Sequence, residues 1–371
     1  MKFSFWEKRS WLENIDFAII GSGIVGLSCA LSLRKRYPKS KIVIFERGML
    51  PNGASTKNAG FACFGSISEI LEDLKNHTEE EVVHLVRKRV EGLRLLRATV
   101  GDRQLDYHQY GGYELFTLED KDLLEECLLQ KSYINGLLHP IFNEQVFFKG
   151  ENKFNFKNIQ SRLIFNPFEG QIDTGKMMLA LIKKATESSI LILNNWEITK
   201  LEDVGNKVLL QFNSEEVIPV KKVFIATNGF AKQFLIEDVK PARAQVLVSS
   251  PIKDLSIKGT FHLDKGFYYF RNIEDRILLG GGRNLDFTTE ETTEMELTER
   301  VQTRLEELLK EVIIPNISFK IDYRWSGIMG VGKQKKPIVK PLSNNVFCGV
   351  RLGGMGVAIG SSIGKDLSGF V

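Results

Sequence analysis

The sequence of 371 residues lacks several features that mark whole classes of protein. Its four cysteines are widely spaced and include no C-x-x-C pair, so the sequence predicts neither a disulfide framework nor a zinc site, and it suits a reducing cytoplasm. The five histidines show no metal-ligand spacing. No run reaches the ~18 apolar residues of a membrane-spanning helix, and the charged N-terminus does not resemble a signal peptide. We therefore expect a cytoplasmic protein without a metal centre or a transmembrane segment.

The chain also lacks a strong excess of either charge. Its 50 Lys and Arg residues against 46 Asp and Glu give a net charge of +4, which is close to neutral for this length. A nucleic-acid partner is therefore not indicated. The sequence also shows no Ser–His–Asp order and no paired carboxylates, which is consistent with a bound cofactor that carries the chemistry.

What the sequence does contain is a glycine turn between a strand and a helix, in the segment FAIIGSGIVGLS. Residues 17–20 read as a buried strand, residues 24–35 as a helix and residues 41–47 as a second buried strand, which together predict a βαβ unit. Gly21 allows the tight turn, Gly23 lets the backbone approach a pyrophosphate, and Gly26 lets the helix pack on the strand. The free N–H groups of the helix N-terminus then favour an anion.

An acidic residue lies at the end of the second strand, where a dinucleotide-binding βαβ unit carries one. Glu46 ends the second strand, 20 residues after Gly26, and there a carboxylate accepts hydrogen bonds from a ribose 2′-hydroxyl. A bare hydroxyl indicates FAD or NAD and disfavours NADP. The long segment of small and polar residues that follows, with Ser55, Asn58 and Gly60, could run close beside a large planar ligand and favours FAD.

Beyond this unit, strand-rich and βα-rich segments alternate along the chain. Residues 68–101 have helical periodicity and end on glycine, and residues 266–282 look like a hairpin of two apolar strands around a polar turn. The alternation indicates two intertwined domains rather than two in tandem.

With these motifs, the chain resembles the D-amino-acid oxidase, glycine oxidase and sarcosine oxidase family of FAD-dependent oxidoreductases. The segments GAS, NAG, RWSG and the glycine-rich C-terminal turn carry the resemblance, and YGGYELFT, DTGKMMLAL, VFIATNGFA, PARAQ, GFYYF and ILLGGG fall in the family's order. The resemblance implies an α/β fold in which a Rossmann-like FAD-binding domain is interleaved with a mixed-sheet, α+β substrate domain. We expect the FAD-binding domain at residues 1–75, 170–245 and 320–371 and the substrate domain at residues 76–169 and 246–319.

The resemblance also implies FAD as the cofactor, with the C-terminal glycine turn against the pyrimidine edge of the flavin. The cysteine that holds the flavin covalently in sarcosine oxidases would fall near Ile328–Met329 and is absent, so we expect non-covalent FAD. The expected cofactor-binding residues are Gly21, Gly23, Ile24, Gly26, Glu46, Arg47, Ser55, Asn58, Ala59, Gly60, Ile198, Gly229, Gly353, Gly354, Met355 and Gly356.

The function implied is oxidation of the C–N bond of a small amine or amino acid by hydride transfer to flavin N5, after which the imine hydrolyses. Oxygen, a quinone or another acceptor takes the electrons. The lysine that speeds reaction with oxygen in some members is missing from the matching strand RILLGG, which leaves room for a dehydrogenase. Two alternatives stay open: a 2-hydroxy-acid dehydrogenase on the same scaffold, and a non-catalytic flavin-binding assembly protein.

The substrate site departs from the family pattern. Glycine-oxidase-like members carry an arginine two residues after the RW-small-G segment, and here that residue is Met329. A substrate carboxylate needs a cation, so we expect Arg351 first and Arg271 second to replace it. Tyr269 is a further candidate catalytic residue, because Tyr268 and Tyr269 point to opposite faces of a strand. His262 lies outside these motifs and is expected on the surface.

Overall fold

The computed structural model describes residues 3–213 and 216–371. Eighteen strands run through this part of the chain: β1 (Ile15–Ile20), β2 (Ile42–Glu46), β3 (Phe61–Ala62), β4 (Gly112–Glu114), β5 (Phe148–Glu151), β6 (Arg162–Asn166), β7 (Gly170–Gln171), β8 (Leu191–Asn194), β9 (Ile198–Asp203), β10 (Val208–Phe212), β11 (Val217–Ile225), β12 (Lys240–Ser249), β13 (Thr260–Leu263), β14 (Tyr268–Ile273), β15 (Arg276–Gly281), β16 (Ile321–Val331), β17 (Ile338–Pro341) and β18 (Val346–Val350). The α-helices are α1 (Phe5–Glu7), α2 (Ile24–Arg36), α3 (Ala54–Lys57), α4 (Ile67–Leu74), α5 (Glu79–Val100), α6 (Asp102–Leu105), α7 (Lys121–Phe142), α8 (Thr174–Glu187), α9 (Glu299–Leu308) and α10 (Gly356–Ser368).

The first sheet is built on a parallel core in the order β18-β11-β1-β2-β8. Its central strands are continuous apolar runs because apolar cores cover both faces. The antiparallel strand β17 pairs with β18 at one side, and β10 and β9 extend the sheet from β11. The predicted strand–turn–helix–strand unit at residues 17–47 is confirmed by β1, α2 and β2.

The second sheet is mixed, with the order β16-β12-β15-β14-β13-β4-β6-β5. Only β13 and β4 run parallel, and the other neighbours are antiparallel. An apolar core that includes α9 packs against this sheet. The hairpin expected at residues 266–282 is confirmed by β14 and β15. This pairing of a Rossmann-like sheet with a mixed sheet confirms the expected fold class.

One helix prediction is wrong in detail. The periodic segment 68–101 forms two helices, because Thr78 opens α5 with a capping box: its side chain accepts from Glu81 N while the Glu81 side chain accepts from the N-cap. The stop at Gly101 is confirmed, with φ at +96°. None of the helices in residues 3–213 and 216–371 is long and apolar enough to cross a membrane.

The two sheets are connected by chain that passes between them more than once. The first sheet uses strands within residues 15–46, 191–225 and 338–350, and the second uses strands within residues 112–166 and 240–331. β12 and β16 pair along their length and lie in the second sheet, although the expected boundaries place residues 240–245 and 320–331 with the FAD-binding part. The domain boundaries otherwise stay a prediction.

Candidate active site

A single cavity of about 500 Å³ extends from the glycine turn of the first sheet to strands of the second sheet. Its walls come from the β1–α2 turn, the carboxyl end of β2, residues 51–63, the C-terminal glycine turn and the hairpin of β14 and β15. In α/β sheets ligands bind beyond the carboxyl ends of the strands. The cavity follows that rule at one end and reaches the mixed sheet at the other.

The β1–α2 turn forms the first wall as predicted from its glycines. α2 begins at Ile24, directly after Gly23, and both residues line the cavity with Gly21. Gly26 does not line it. A Cβ on Gly26 would lie 2.0 Å from the carbonyl oxygen of Gly21, so only glycine lets the helix approach the strand this closely. Gly26 therefore shapes the turn that the other three residues present to a ligand.

Glu46 lies at the carboxyl end of β2 with its carboxylate held in place beside the cavity. The hydroxyl of Ser22 donates to Glu46 Oε2 at 2.6 Å, and the Gly48 N–H donates to Oε1 at 2.9 Å. The side chain is only 6% exposed. Ser22, the residue between the first two glycines, was missed by the sequence reasoning, although its position beside the turn could have suggested this role.

The segment after β2 is ordered by Asn58. Its Oδ1 accepts from the Gly60 N–H at 2.8 Å and from the Thr174 hydroxyl at 2.9 Å, and its Nδ2 donates to the carbonyls of Ala54 and Ser55. This network holds α3 and the cavity-lining residue Ala59 against the wall. The hydroxyl of Ser55 accepts from the Ile24 N–H at 3.0 Å, which brings the segment onto the N-terminus of α2.

Of the remaining predicted cofactor residues, some line the cavity and others lie behind its wall. Ile198 at the start of β9 and Arg47 line the cavity, and the Arg47 guanidinium lies 3.8 Å from the centre of the Phe230 ring. Gly60 and Gly229 do not line it. Gly229 is buried against Met329, since a Cβ there would lie 2.5 Å from the Met329 carbonyl oxygen.

The C-terminal turn forms a further wall of the cavity and contacts the segment 51–63, where Met355 Sδ lies 3.6 Å from Cys63 Sγ. Gly353, Gly354, Met355 and Gly356 all line the cavity. α10 begins at Gly356 and its N-cap, Met355, makes no side-chain capping bond, so its first N–H groups are left for another acceptor. Such a helix end favours negative charge.

Arg351 and Arg271, the two arginines expected to hold a substrate carboxylate, are both committed to backbone oxygens. Arg351 lines the cavity, but its guanidinium donates to the carbonyls of Lys336 and Asp238 and lies 3.8 Å from the Asp238 carboxylate. Arg271 does not line the cavity. It donates to the carbonyls of Ala59, Ile172 and Asn272, and burial lowers the pKa of its guanidinium to about 10.

Tyr269 faces the cavity, and Tyr268 packs into the core of the second sheet, as expected for neighbours on a strand. The Tyr269 ring contacts Phe61 edge to face, with the ring centres 5.5 Å apart. Burial raises the pKa of its hydroxyl to about 12. The hydroxyl therefore stays protonated near neutral pH and can donate a hydrogen bond.

The expectation that His262 lies on the surface is wrong. His262 is 5% exposed, lines the cavity, and its Nε2 lies 2.9 Å from Glu169 Oε2. Burial alone would lower its pKa, but the Glu169 carboxylate outweighs burial and raises the pKa to about 9. The imidazole is thus a cation at neutral pH. Glu169 is 93 residues away in the sequence, which is why no local pattern marks this pair.

The wall residues fit FAD, the cofactor that the resemblance implies. Gly23, the N-cap of α2, makes no side-chain capping bond, and Ser55 accepts one N–H of this helix end, that of Ile24. This helix end, the fixed carboxylate of Glu46 and the uncapped start of α10 supply what a dinucleotide and its ring system need. The Thr227 hydroxyl adds an independent sign: it lines the cavity and is buried without a hydrogen-bond partner among the described residues. Buried polar atoms are seldom left unpaired, so a ligand atom is the expected partner.

Comparisons with known proteins identify the family and the fold. A family model described as "FAD dependent oxidoreductase" matches residues 16–369. The "Probable oxidoreductase OrdL" of Haemophilus influenzae is 19% identical over 363 residues, which is 95% of this chain and 82% of that protein. Among solved structures, an L-proline dehydrogenase from P. horikoshii has a TM-score of 0.75 at 16% identity, with 96% of this chain and 93% of that chain covered. A glycine oxidase from Geobacillus kaustophilus has a TM-score of 0.75 at 18% identity, with 94% and 92% covered.

Proposed function

The chain belongs to the family of FAD-dependent oxidoreductases, and from this membership we propose that it oxidises the C–N bond of a small amine or amino acid. The observation that carries the proposal is the single cavity that connects the dinucleotide cradle at Gly21–Ile24 to Tyr269 and His262 on the second sheet. A cofactor held in the cradle and a small molecule held between these side chains would share one enclosed space. The proposal also has support from the printed names of the similar structures, which are those of amino-acid and amine oxidoreductases.

The flavin, when bound, supplies a hydride acceptor for the carbon next to the amine, and the resulting imine hydrolyses in water. Residues of this chain would hold the flavin cofactor. Glu46 would accept from the ribose, the N-terminus of α2 would bind the pyrophosphate, and the N-terminus of α10 at Gly356 would stabilise negative charge on the ring system. Gly21, Gly23 and Ser55 complete the cradle.

The attachment is proposed to be non-covalent. Cys63 is the cysteine that lines the cavity within the described residues, and its Sγ lies 3.6 Å from Met355 Sδ. Burial raises the pKa of this thiol well above its usual value. A thiolate is the form that would attack the flavin, so Cys63 is poorly suited to a covalent bond.

On the second sheet, two groups orient the substrate. The protonated hydroxyl of Tyr269 can donate to it, and the His262 imidazolium adds positive charge that Glu169 holds in place. Phe61 and Phe267 line the same space and give it apolar surface. These residues bind and position the substrate. None of them is assigned as the acceptor of the substrate's proton.

The proposal also covers the electron acceptor, the cellular location and the kind of partner. β15 carries leucines where a lysine would assist reaction with oxygen, which supports a quinone or another carrier as an acceptor beside oxygen. The four cysteines are free and buried, which supports a reducing, cytoplasmic location. The near-neutral net charge supports a small-molecule partner over a nucleic acid.

Anaerobic bleaching of the yellow flavin colour tests the proposed function. The purified holoprotein is mixed with separate panels of amines, amino acids and 2-hydroxy acids, and flavin reduction is followed by absorbance. Bleaching by members of the amine or amino-acid panels is the expected result. Bleaching by 2-hydroxy acids alone would favour the hydroxy-acid dehydrogenase, and no bleaching by any panel would favour the non-catalytic flavin-binding protein.

A further inference from the structure

Arg283 presents an uncompensated positive charge to the cavity. It follows β15, lines the cavity, and forms no ion pair with a carboxylate within residues 3–213 and 216–371. Its guanidinium lies 5.6 Å from the centre of the Phe267 ring and 5.1 Å from that of Phe287. These cation–π contacts balance no charge, and the side-chain N–H groups of Arg283 donate to no acceptor among the described residues. Burial lowers the pKa of this group.

Arg89 brings a second uncompensated guanidinium to the same cavity from α5. It is 6% exposed and lines the cavity, and one of its nitrogens donates to the Phe64 carbonyl at 2.7 Å. Its Nε is buried with no hydrogen-bond partner in the described chain. An unpartnered buried donor on a charged group is expensive, so an acceptor from a ligand is the expected complement.

The Glu69 carboxylate lines the same cavity as these two arginines, and its Oε2 accepts from the Ser66 N–H at 2.9 Å. Glu69 belongs to α4 and contacts the loop at Gly266, where an added Cβ would lie 2.8 Å from Glu69 Cδ. Phe267, the next residue, carries the Arg283 guanidinium on its ring. The consecutive residues Gly266 and Phe267 therefore connect the surroundings of Glu69 with those of Arg283.

Two other basic groups near this end have carboxylate partners. His262 lies 2.9 Å from Glu169, and Lys265 lies 3.2 Å from Glu72, which also pairs with Lys75. The two arginines and Glu69 together carry one net positive charge. An amine with a single carboxylate has no net charge as a zwitterion and would leave this imbalance in place. An ammonium with two acid groups carries one negative charge and would remove it.

The rim of the cavity also carries positive charge. Lys333 and Lys335 line it and are exposed, and Lys335 pairs with Asp73 of α4. A mouth with basic side chains raises the local concentration of anions and speeds their entry.

Resting on the proposed function, we propose that the substrate is an amine with two acidic groups, one bound by Arg283 and the other by Arg89, with its ammonium facing Glu69. This arrangement moves the substrate-binding cation away from the family position that Met329 occupies. Arg351 and Arg271 are not needed for it, because both are bonded to backbone carbonyls.

Two measurements on the holoprotein test the proposal. In the first, anaerobic flavin reduction is compared between aminodicarboxylates (aspartate, glutamate and iminodiacetate) and amines with one carboxylate or none. We expect the aminodicarboxylates to reduce the flavin at least about tenfold faster, and the variants Arg283→Met and Arg89→Met each to lose about ten- to a hundredfold in that preference. Arg103→Met, an exposed arginine on α6, is the matched control and should keep the wild-type preference.

In the second measurement, succinate and butyrate are titrated into the holoprotein, and the shift of the flavin spectrum gives their dissociation constants. We expect succinate to bind at least about tenfold more tightly than butyrate and to lose that advantage in Arg283→Met. Because Arg283 is held by aromatic stacking alone, this variant keeps the test available even if Arg89→Met fails to fold.

The two measurements separate the proposals. Equal reduction by amines with one carboxylate, or an unchanged preference in Arg283→Met, overturns the two-acid substrate while the amine oxidation stands. If no amine reduces the flavin, the proposed function fails, and the succinate titration then decides the subsite: tight binding that Arg283→Met abolishes supports it, and equal binding of succinate and butyrate overturns it.

Discussion

His262 Nε2 and Glu169 Oε2 lie 2.9 Å apart, and neither side chain is more than 6% exposed. Thr260 donates a further hydrogen bond to the same carboxylate oxygen at 2.9 Å. The pair links β13 to the residue before β7 and places a charged imidazole at the cavity wall. Its charge therefore affects both the stability of the fold and the electrostatics of the site.

This pair predicts a loss of stability at alkaline pH. The folded-state pKa of His262 is raised to about 9, above the unfolded value of about 6.5, so the stabilisation is fully present below about pH 6.5 and is lost as the pH rises through about 9. The full difference corresponds to roughly 3 kcal/mol. Glu169→Gln should lower the pKa of His262 and remove this part of the alkaline decline. Thermal unfolding midpoints from about pH 6 to about pH 10, compared between the two proteins, check it.

NMR titration of the His262 ring protons is the direct control. A wild-type pKa that does not exceed the ordinary value, or an identical pH slope in both proteins, would contradict the assigned charge.

Glu46→Ala should weaken FAD binding. The carboxylate is held by Ser22 and Gly48 at the cavity wall, and its loss removes a charged acceptor for the ribose. At about 1.5–3 kcal/mol for such a hydrogen bond, affinity should fall by about ten- to a hundredfold. The measurement is titration of the flavin-free protein with FAD, followed by flavin fluorescence. Glu144→Ala, an exposed glutamate on the second-sheet side, is the control, and equal affinities in both variants would reduce Glu46 to a strand-end carboxylate.

Arg271→Met should act on stability. The guanidinium donates to three carbonyls, of Ala59, Ile172 and Asn272, and their loss leaves buried acceptors unpaired at about 1–3 kcal/mol each. Denaturant unfolding should show a drop of at least about 3 kcal/mol, together with weaker FAD binding because Ala59 lines the cavity.

An opposite outcome for Arg271→Met has a clear meaning. Unchanged unfolding and FAD binding, with a raised KM alone, would return Arg271 to the role of substrate anchor that the sequence predicted. Arg271→Lys should recover little, since an ammonium cannot reach the three carbonyls in the guanidinium's fork geometry.

The contrast between Gly26 and Arg271 shows what sequence can supply. The glycine turn, α2 and Glu46 are local: every part lies within one βαβ unit, and its spacing follows from backbone sterics. The fold class followed from the ordered motifs. The direction of an arginine is not local. Arg271 turns to Ile172, which is 99 residues away, and Arg283 turns to the cavity, although both belong to the same hairpin region. The packing of the two sheets determines that the Arg271 guanidinium donates to backbone carbonyls and that the Arg283 guanidinium does not.

Tyr269→Phe removes only the hydroxyl of a side chain that lines the cavity. The ring packs against Phe61 and over Gly280, where a Cβ would lie 2.6 Å from Tyr269 Cε2, and phenylalanine keeps these contacts. We therefore expect unchanged unfolding and unchanged FAD affinity. The hydroxyl is protonated because burial raises its pKa to about 12, so its loss removes a donor to the substrate and should lower kcat/KM by about tenfold. The pH profile should keep its shape below about pH 10 in both proteins. A profile in which the wild type alone shows a basic group that Tyr269→Phe abolishes would identify Tyr269 as a proton acceptor instead, and an unchanged kcat/KM would leave it a packing residue of the cavity wall.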